Sequence, residues 1–212
     1  MPVIVAFGDS NTWGYDPATG ARFPRAQRWP SVLARELGTD FEVIAEGLNG
    51  RTTVHDDPIE PFRSGADALP SCLMSHMPLD LLIVALGCND LKKRFSLSAF
   101  DVAEGAARLI FFARAYGEGP DGHLPRILLI APPPIAKLTG FAEMFEDGAE
   151  KSRLLGERFR AVAEREGVAF LDAGQVIRCS DLDGIHYEAD QHELLGWSAA
   201  KAVRGALAAP AV

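Results

Sequence analysis

The chain has 212 residues, 48% of them hydrophobic and 24% charged, which excludes disorder, collagen and coiled coil as descriptions of the whole. Its 21 basic and 29 acidic side chains leave a formal charge of −8. Nucleic acids and anionic membranes both call for basic surface, so neither is an expected partner. One domain over 1–212 is expected, because a core of that size buries roughly 70% of the unfolded chain's surface. Cys72, Cys88 and Cys179 are odd in number and widely spaced, with no Cys-x-x-Cys. A disulfide framework and a structural zinc site are therefore not expected. The start, Met-Pro-Val-Ile-Val-Ala-Phe, carries no basic n-region or cleavage pattern, and no apolar run reaches the length of a membrane span. The expected compartment is the cytoplasm.

Short apolar runs lie at 3–7, 41–45, 79–86, 127–131 and 168–171. Their length and their Val, Ile, Leu and Phe content read as strands buried on both faces. Helical patterns separate them. The stretch 31–37 follows Trp29-Pro30, with Pro suited to a first turn and Gly38 to a stop. Pro70 interrupts the pattern over 66–76. Over 99–116, Val102, Ala106, Leu109, Ile110 and Ala113 make one stripe. Over 151–166, Leu154, Leu155, Phe159 and Val162 recur at helical spacing before Gly167, and 193–207 closes the chain. Strands alternating with helices predict an α/β fold, a three-layer α/β/α sandwich with a five-stranded parallel sheet. The loop 132–148 carries Ile135, Leu138, Phe141, Met144 and Phe145. A loop that apolar is expected to pack over a pocket or against another subunit.

Ligands of such sheets bind beyond the C-terminal strand ends. Gly8-Asp9-Ser10-Asn11-Thr12 follows the first run, Gly47-Leu48-Asn49-Gly50-Arg51-Thr52 the second, and Gly87-Cys88-Asn89-Asp90 the third. Asp183-Gly184-Ile185-His186 stands near the C-terminus. Alone, Gly-Asp-Ser reads as a turn or helix cap. Together the four groups supply a hydroxyl, glycine-flanked amides, a side-chain amide, an imidazole and a carboxylate, the parts of nucleophilic acyl transfer. Position 12 is Thr, so the Gly-x-Ser-x-Gly elbow is absent. His192-Glu193 begins like a His-Glu-x-x-His zinc pair but meets Gly196 at the fifth place. His55, His76 and His123 read as packing or surface residues, and Cys88 as a buried small residue. Asp9 and Asp90 are expected to bond loop amides, and Arg51 to form a salt-bridged loop with Asp56-Asp57.

The chain resembles the SGNH (GDSL-type) hydrolases, with Ser10, Gly50, Asn89 and His186 as the four block residues. It is most similar to the small bacterial arylesterase, acyltransferase and perhydrolase branch. That likeness rests on Gly-Asp-Ser-Asn-Thr-Trp-Gly-Tyr, Glu46-Gly47-Leu48-Asn49-Gly50-Arg51-Thr52-Thr53, Asp56-Asp57-Pro58, Ser75-His76-Met77-Pro78-Leu79-Asp80-Leu81 and Asp183-Gly184-Ile185-His186. Asn11 and Cys88 depart from the common Leu and Thr. The resemblance implies a flavodoxin-like SGNH fold and a catalytic triad of Ser10, Asp183 and His186. It implies an oxyanion hole of Ser10, Gly50 and Asn89, and a pocket touched by Asn11 and Trp13. It further implies short-chain or aryl carboxylic esters as substrates, with acyl transfer to alcohols or peroxide as a further outcome. No cofactor or metal is expected, and homo-oligomers, octamers built from dimers, are. The alternatives are a thioesterase or lysophospholipase of the same superfamily, or a non-enzymatic flavodoxin-like binding module.

Overall fold

The structure is a computed structural model and describes residues 1–209. Five strands, β1 (Val3–Gly8), β2 (Glu42–Gly47), β3 (Leu81–Ala85), β4 (Arg126–Ala131) and β5 (Ala169–Asp172), form one sheet in the order β2-β1-β3-β4-β5. All neighbours are parallel. Successive strand side chains point to opposite faces, which divides the core in two. Val5, Phe7, Leu82 and Val84 pack with α3 (Gly65–His76), α4 (Ala99–Tyr116) and α6 (Leu155–Glu166). Ile4, Ala6, Leu81 and Ile83 pack with α2 (Trp29–Leu37) and α7 (Ala189–Ala208). The expected three layers result. Two short helices complete the set: α1 (Ser10–Trp13) follows β1 directly, and α5 (Gly148–Ser152) precedes α6.

The differences from expectation have local causes. Only the inner strands β1, β3 and β4 are buried almost throughout; β2 and β5 are edges and stay largely half-buried. Helix α3 continues through Pro70 because Leu69 and Leu73, both fully buried, hold it on the core, and Ser64 caps it by accepting from the Asp67 amide. The pattern over 151–166 is two helices, broken at 153–154. Helix α7 starts a turn earlier than expected, with the Gln191 and His192 amides donating to the Glu188 carbonyl. Among the described residues no helix is long and apolar enough to cross a membrane.

His192 joins α7 to α2. Its Nδ1 accepts from the Trp29 amide at 3.3 Å, and its ring packs edge-on against Phe23 and Tyr187. Its Nε2 is buried with no hydrogen-bond partner among the described residues. Burial pulls the imidazole pKa down to about 4, and the charge of His186 acts in the same direction. The unfolded chain therefore takes up a proton first as pH falls below about 6.5. The stability contributed by the neutral ring is present above that pH and is lost toward pH 4. Between pH 7 and pH 4, wild type should lose about 3 kcal/mol more stability than His192→Asn, as urea unfolding at the two pH values will report. Equal losses would contradict the linkage.

Candidate active site

The parallel register sets three strand ends level. Gly8 of β1 lies opposite Gly47 of β2 on one side and Ala85 of β3 on the other. Between β1 and β3 the strand order reverses direction, the place where sheets of this kind hold their ligands. The turns after β1, β2 and β3 meet there. Helix α1 packs tightly on β2: a Cβ on Gly47 would sit 2.2 Å from the Trp13 backbone nitrogen, so only glycine fits. Asp9 caps α1 by accepting from the Asn11 amide at 2.9 Å. Ser10 is therefore fixed at the first position of a capped helix.

The loop beyond the short turn at 173–175, which follows β5, brings the remaining groups. His186 Nε2 lies 2.9 Å from Ser10 Oγ, and His186 Nδ1 lies 2.6 Å from Asp183 Oδ2. Asp183 Oδ1 accepts from the amides of Ile185 and His186, so one carboxylate fixes both the loop and the ring. Burial acts to raise the Asp183 pKa, but the His186 ring and those two amides outweigh it and hold it below the usual carboxylate value. The carboxylate stays ionised and demands a proton on Nδ1, which leaves Nε2 to accept from the Ser10 hydroxyl. Ser10, Asp183 and His186 are 5%, 7% and 6% exposed. Tyr15 stacks on the His186 ring at 4.0 Å between centroids, and Phe141 meets it edge-on at 6.0 Å.

Asn89 opens the turn after β3. Its Nδ2 donates to the Arg51 carbonyl at 3.1 Å and approaches Asp9 Oδ2 at 3.5 Å, which sets it between the α1 turn and the Arg51–Thr52 peptide. Gly50 has φ 80°, and a Cβ there would meet Glu60 Oε2 at 2.7 Å. Asp90 accepts from the amide and hydroxyl of Thr53, clamping the second turn to the third. Asp9 likewise binds a loop amide, as expected of both. Burial raises each of these carboxyls to a pKa of about 6. Cys88 is buried, as expected, and burial holds its thiol well above the ordinary value.

One expectation changes. Arg51 does not pair with Asp56 or Asp57: its guanidinium lies 4.1 Å from the Phe7 ring centroid, and Nη1 donates to the carbonyls of Gly8 and Glu46. Asp57 instead binds the buried Lys92 at 3.2 Å and Arg94 at 2.9 Å, with Glu60 joining Lys92 at 3.1 Å. Burial alone would raise the Asp57 pKa, but the amides of Ile59 and Glu60 and the Lys92 ammonium bring it to about 2. The loop 132–148 is consumed by its own chain. Ile135 and Phe145 are buried in the core, and Leu138, Phe141 and Met144 pack against it. The loop also braces the His186 segment: the Ala136 amide donates to the Gly184 carbonyl at 2.9 Å and Thr139 Oγ1 to the Leu182 carbonyl at 2.7 Å. Asn11, expected beside the pocket, is buried and reaches both neighbours of His186. Its Oδ1 accepts from the Tyr187 amide at 3.2 Å, and its Nδ2 donates to the Ile185 carbonyl at 3.4 Å. Trp13 is half-buried under the Arg22 guanidinium, 4.7 Å from the ring centroid.

Sequence reasoning missed Tyr15 and Lys92. Tyr15 had one available signal, its position five residues after Ser10 within the matched block. Lys92 had none, because its partners lie 32 and 35 residues earlier.

A relay of hydroxyl, imidazole and carboxylate at the switch point of a parallel sheet is the arrangement of a serine hydrolase. The family model for the GDSL-like lipase/acylhydrolase family matches residues 6–194. The chain belongs to that family. A carbohydrate acetylesterase family member from Sinorhizobium meliloti is 39% identical, with 99% of this chain and 100% of that chain covered and a TM-score of 0.94. Est24, a carbohydrate acetylesterase from the same organism, is 37% identical over 97% of this chain and 99% of that one, with a TM-score of 0.93. The aryl esterase of M. smegmatis is 42% identical over 97% and 100%, with a TM-score of 0.92. No curated protein matches in sequence.

The Asn11 bridge gives a direct test. Asn11→Ala leaves a backbone amide and a carbonyl on either side of His186 without these partners. It should cost about 1–3 kcal/mol of stability. Turnover should fall about tenfold with KM nearly unchanged, since looser positioning of the base acts on the chemical step. Thermal unfolding and steady-state kinetics read the two effects; wild-type values for both would deny the bridge any role.

Proposed function

We propose that the protein hydrolyses short-chain and aryl carboxylic esters through an acyl-enzyme on Ser10. The observation carrying this is the unbroken relay Ser10 Oγ–His186 Nε2–Nδ1–Asp183 Oδ2, with links of 2.9 and 2.6 Å. Ser10 Oγ attacks the ester carbonyl as His186 takes its proton. His186 then gives that proton to the leaving alcohol. Asp183 keeps the ring in the working tautomer and stabilises the imidazolium. The Tyr15 face against the ring favours the same cation. The oxyanion receives the Ser10 and Gly50 amides and Asn89 Nδ2. Water, activated by His186, releases the acid; an alcohol or peroxide in its place yields acyl transfer.

The short acyl range is supported by Phe141, which the 132–148 loop folds against the His186 ring, so that an apolar side chain stands beside the proposed base. Acetylated carbohydrate is a second substrate reading, favoured by the likeness to two acetylesterases. Thioesters and lysophospholipids stand further off, and the non-enzymatic binding module is set aside by the family. The three free cysteines are in keeping with a reducing cytoplasm.

Rates on aryl esters of increasing acyl length, with and without an alcohol acceptor, test the substrate class; a maximum at long chains would refute it. Ser10→Ala or His186→Ala should lower kcat by on the order of 10⁴–10⁶. Asn89→Ala should lower it by about 10²–10³ with KM nearly unchanged, because the oxyanion exists only in the transition state. More than a tenth of wild-type activity in Ser10→Ala, or a raised KM with intact kcat in Asn89→Ala, would overturn the respective role.

We further infer a homo-oligomer, on the scale of the octamers expected from the branch resemblance. Its support is the 56–65 segment, where Ile59 and Phe62 are 71% and 85% exposed beside the Gly50 turn. Light scattering at micromolar concentration should find a multiple of 22.9 kDa. A monodisperse species at that mass would refute the assembly.

A further inference from the structure

We propose that Glu46, Cys72 and His76 form a binding site for a borderline-soft divalent metal ion of the zinc class, separate from the Ser10 relay. The sequence hides it. Cys72 and His76 are four residues apart on α3, so they share one helix face. The carboxylate arrives from the facing edge strand β2, 26 residues before Cys72. The fold brings one donor atom from each residue within 4.8 Å of the other two. His76 Nε2 and Glu46 Oε1 are already 2.9 Å apart.

The donor set selects the ion. Thiolate, imidazole and carboxylate together suit zinc and its neighbours, whereas calcium and magnesium seek oxygen alone. Three protein ligands leave a fourth position for water. Bonds of about 2.0–2.3 Å in a tetrahedron put donors about 3.5 Å apart. No pair of donors is more than 4.8 Å apart, so none need close by more than roughly 1.3 Å, and the Glu46–His76 pair at 2.9 Å must open slightly. Rotation of half-exposed side chains covers both movements.

The surroundings admit an ion. The three residues line a cavity of about 300 Å³ with Phe7, Arg51, Ala68, Ser71 and Ser75. The His76 and Glu46 side chains are 24% and 36% exposed, which gives solvent access. Arg51 also lines the cavity, but its Nη1 is committed to the carbonyls of Gly8 and Glu46 and its plane to Phe7. It occupies none of the three donor atoms. Binding replaces the Cys72 S–H bond with a metal–sulfur bond, the proton leaving to solvent and the metal keeping its oxidation state.

Such a site bears on the reaction at one remove. Glu46 is the penultimate residue of β2, and Arg51 joins its carbonyl to that of Gly8 at the end of β1. The Arg51 carbonyl in turn holds Asn89.

Cobalt(II) titration of tag-free protein tests the proposal, because thiolate ligation gives a near-ultraviolet charge-transfer band that carboxylate or imidazole alone does not. One equivalent should produce the band, and zinc should displace it. Cys72→Ser should abolish the band, and His76→Gln, a change at a half-exposed position that leaves folding intact, should weaken binding of either metal by at least about tenfold. Ser10→Ala should bind as wild type, which separates this site from the proposed relay. Absence of the band, or its persistence in Cys72→Ser, would overturn the proposal.

Discussion

Parallel pairing of β1 with both β2 and β3 fixes everything chemical in this molecule. The register puts Gly8, Gly47 and Ala85 on one level, so three turns separated by some 40 residues each emerge side by side. Each turn is then locked to another by a few polar contacts. Asp90 holds Thr53, Arg51 holds Gly8 with its side chain and Asn89 with its carbonyl, and Asn11 holds the backbone around His186. A register slip of one residue would turn every strand side chain to the opposite face and separate all of these pairs.

That convergence concentrates buried charge. Asp9, Asp57, Asp90, Arg51 and Lys92 are all nearly inaccessible, within loops that also carry the reactive groups. Their environments differ in sign. Asp57 is held by two cations and two amides and is driven further toward ionisation, whereas Asp9 and Asp90 rest mainly on amide and hydroxyl donors and are driven away from it. For the latter two, the folded state binds protons more tightly than the unfolded one, so their contribution weakens as pH rises from about 4 to 6. His192 works the other way over an overlapping range. The resulting stability profile is a compromise between a carboxylate-rich site and a buried imidazole.

The sheet and its layers were legible because inner strands are apolar on both faces, and 3–7, 79–86 and 127–131 carry that signature without ambiguity. The edge strands read less clearly: β2 ends in Ala45-Glu46-Gly47, where exposure admits a charged residue and the apolar run stops short of the strand. Three of the four reactive blocks were legible because each follows a strand within a few residues, and the fourth, Asp183 to His186, because its carboxylate and imidazole stand three residues apart. Partnerships across long separations were not. Neither Lys92 with Asp57, nor Asn11 with residues 185 and 187, nor Glu46 with the 72–76 face, leaves a periodic or local trace. Arg51 misled for the same reason, since acidic neighbours in sequence lost to backbone carbonyls in space.

The 132–148 loop has a consequence for how substrate range can change. Its apolar side chains are spent on the core, its backbone and Thr139 brace residues 182–184, and Phe141 rests on the His186 ring. Trimming this loop would therefore loosen the backbone around His186 along with any change it makes beside the ring. The 56–65 segment is fastened differently: Ile59 and Phe62 project from it, while Asp57 is held underneath by Lys92 and Arg94. Changes at those two exposed side chains leave the braces of residues 182–184 untouched, so the two stretches differ in what can be altered at each without reaching the His186 ring.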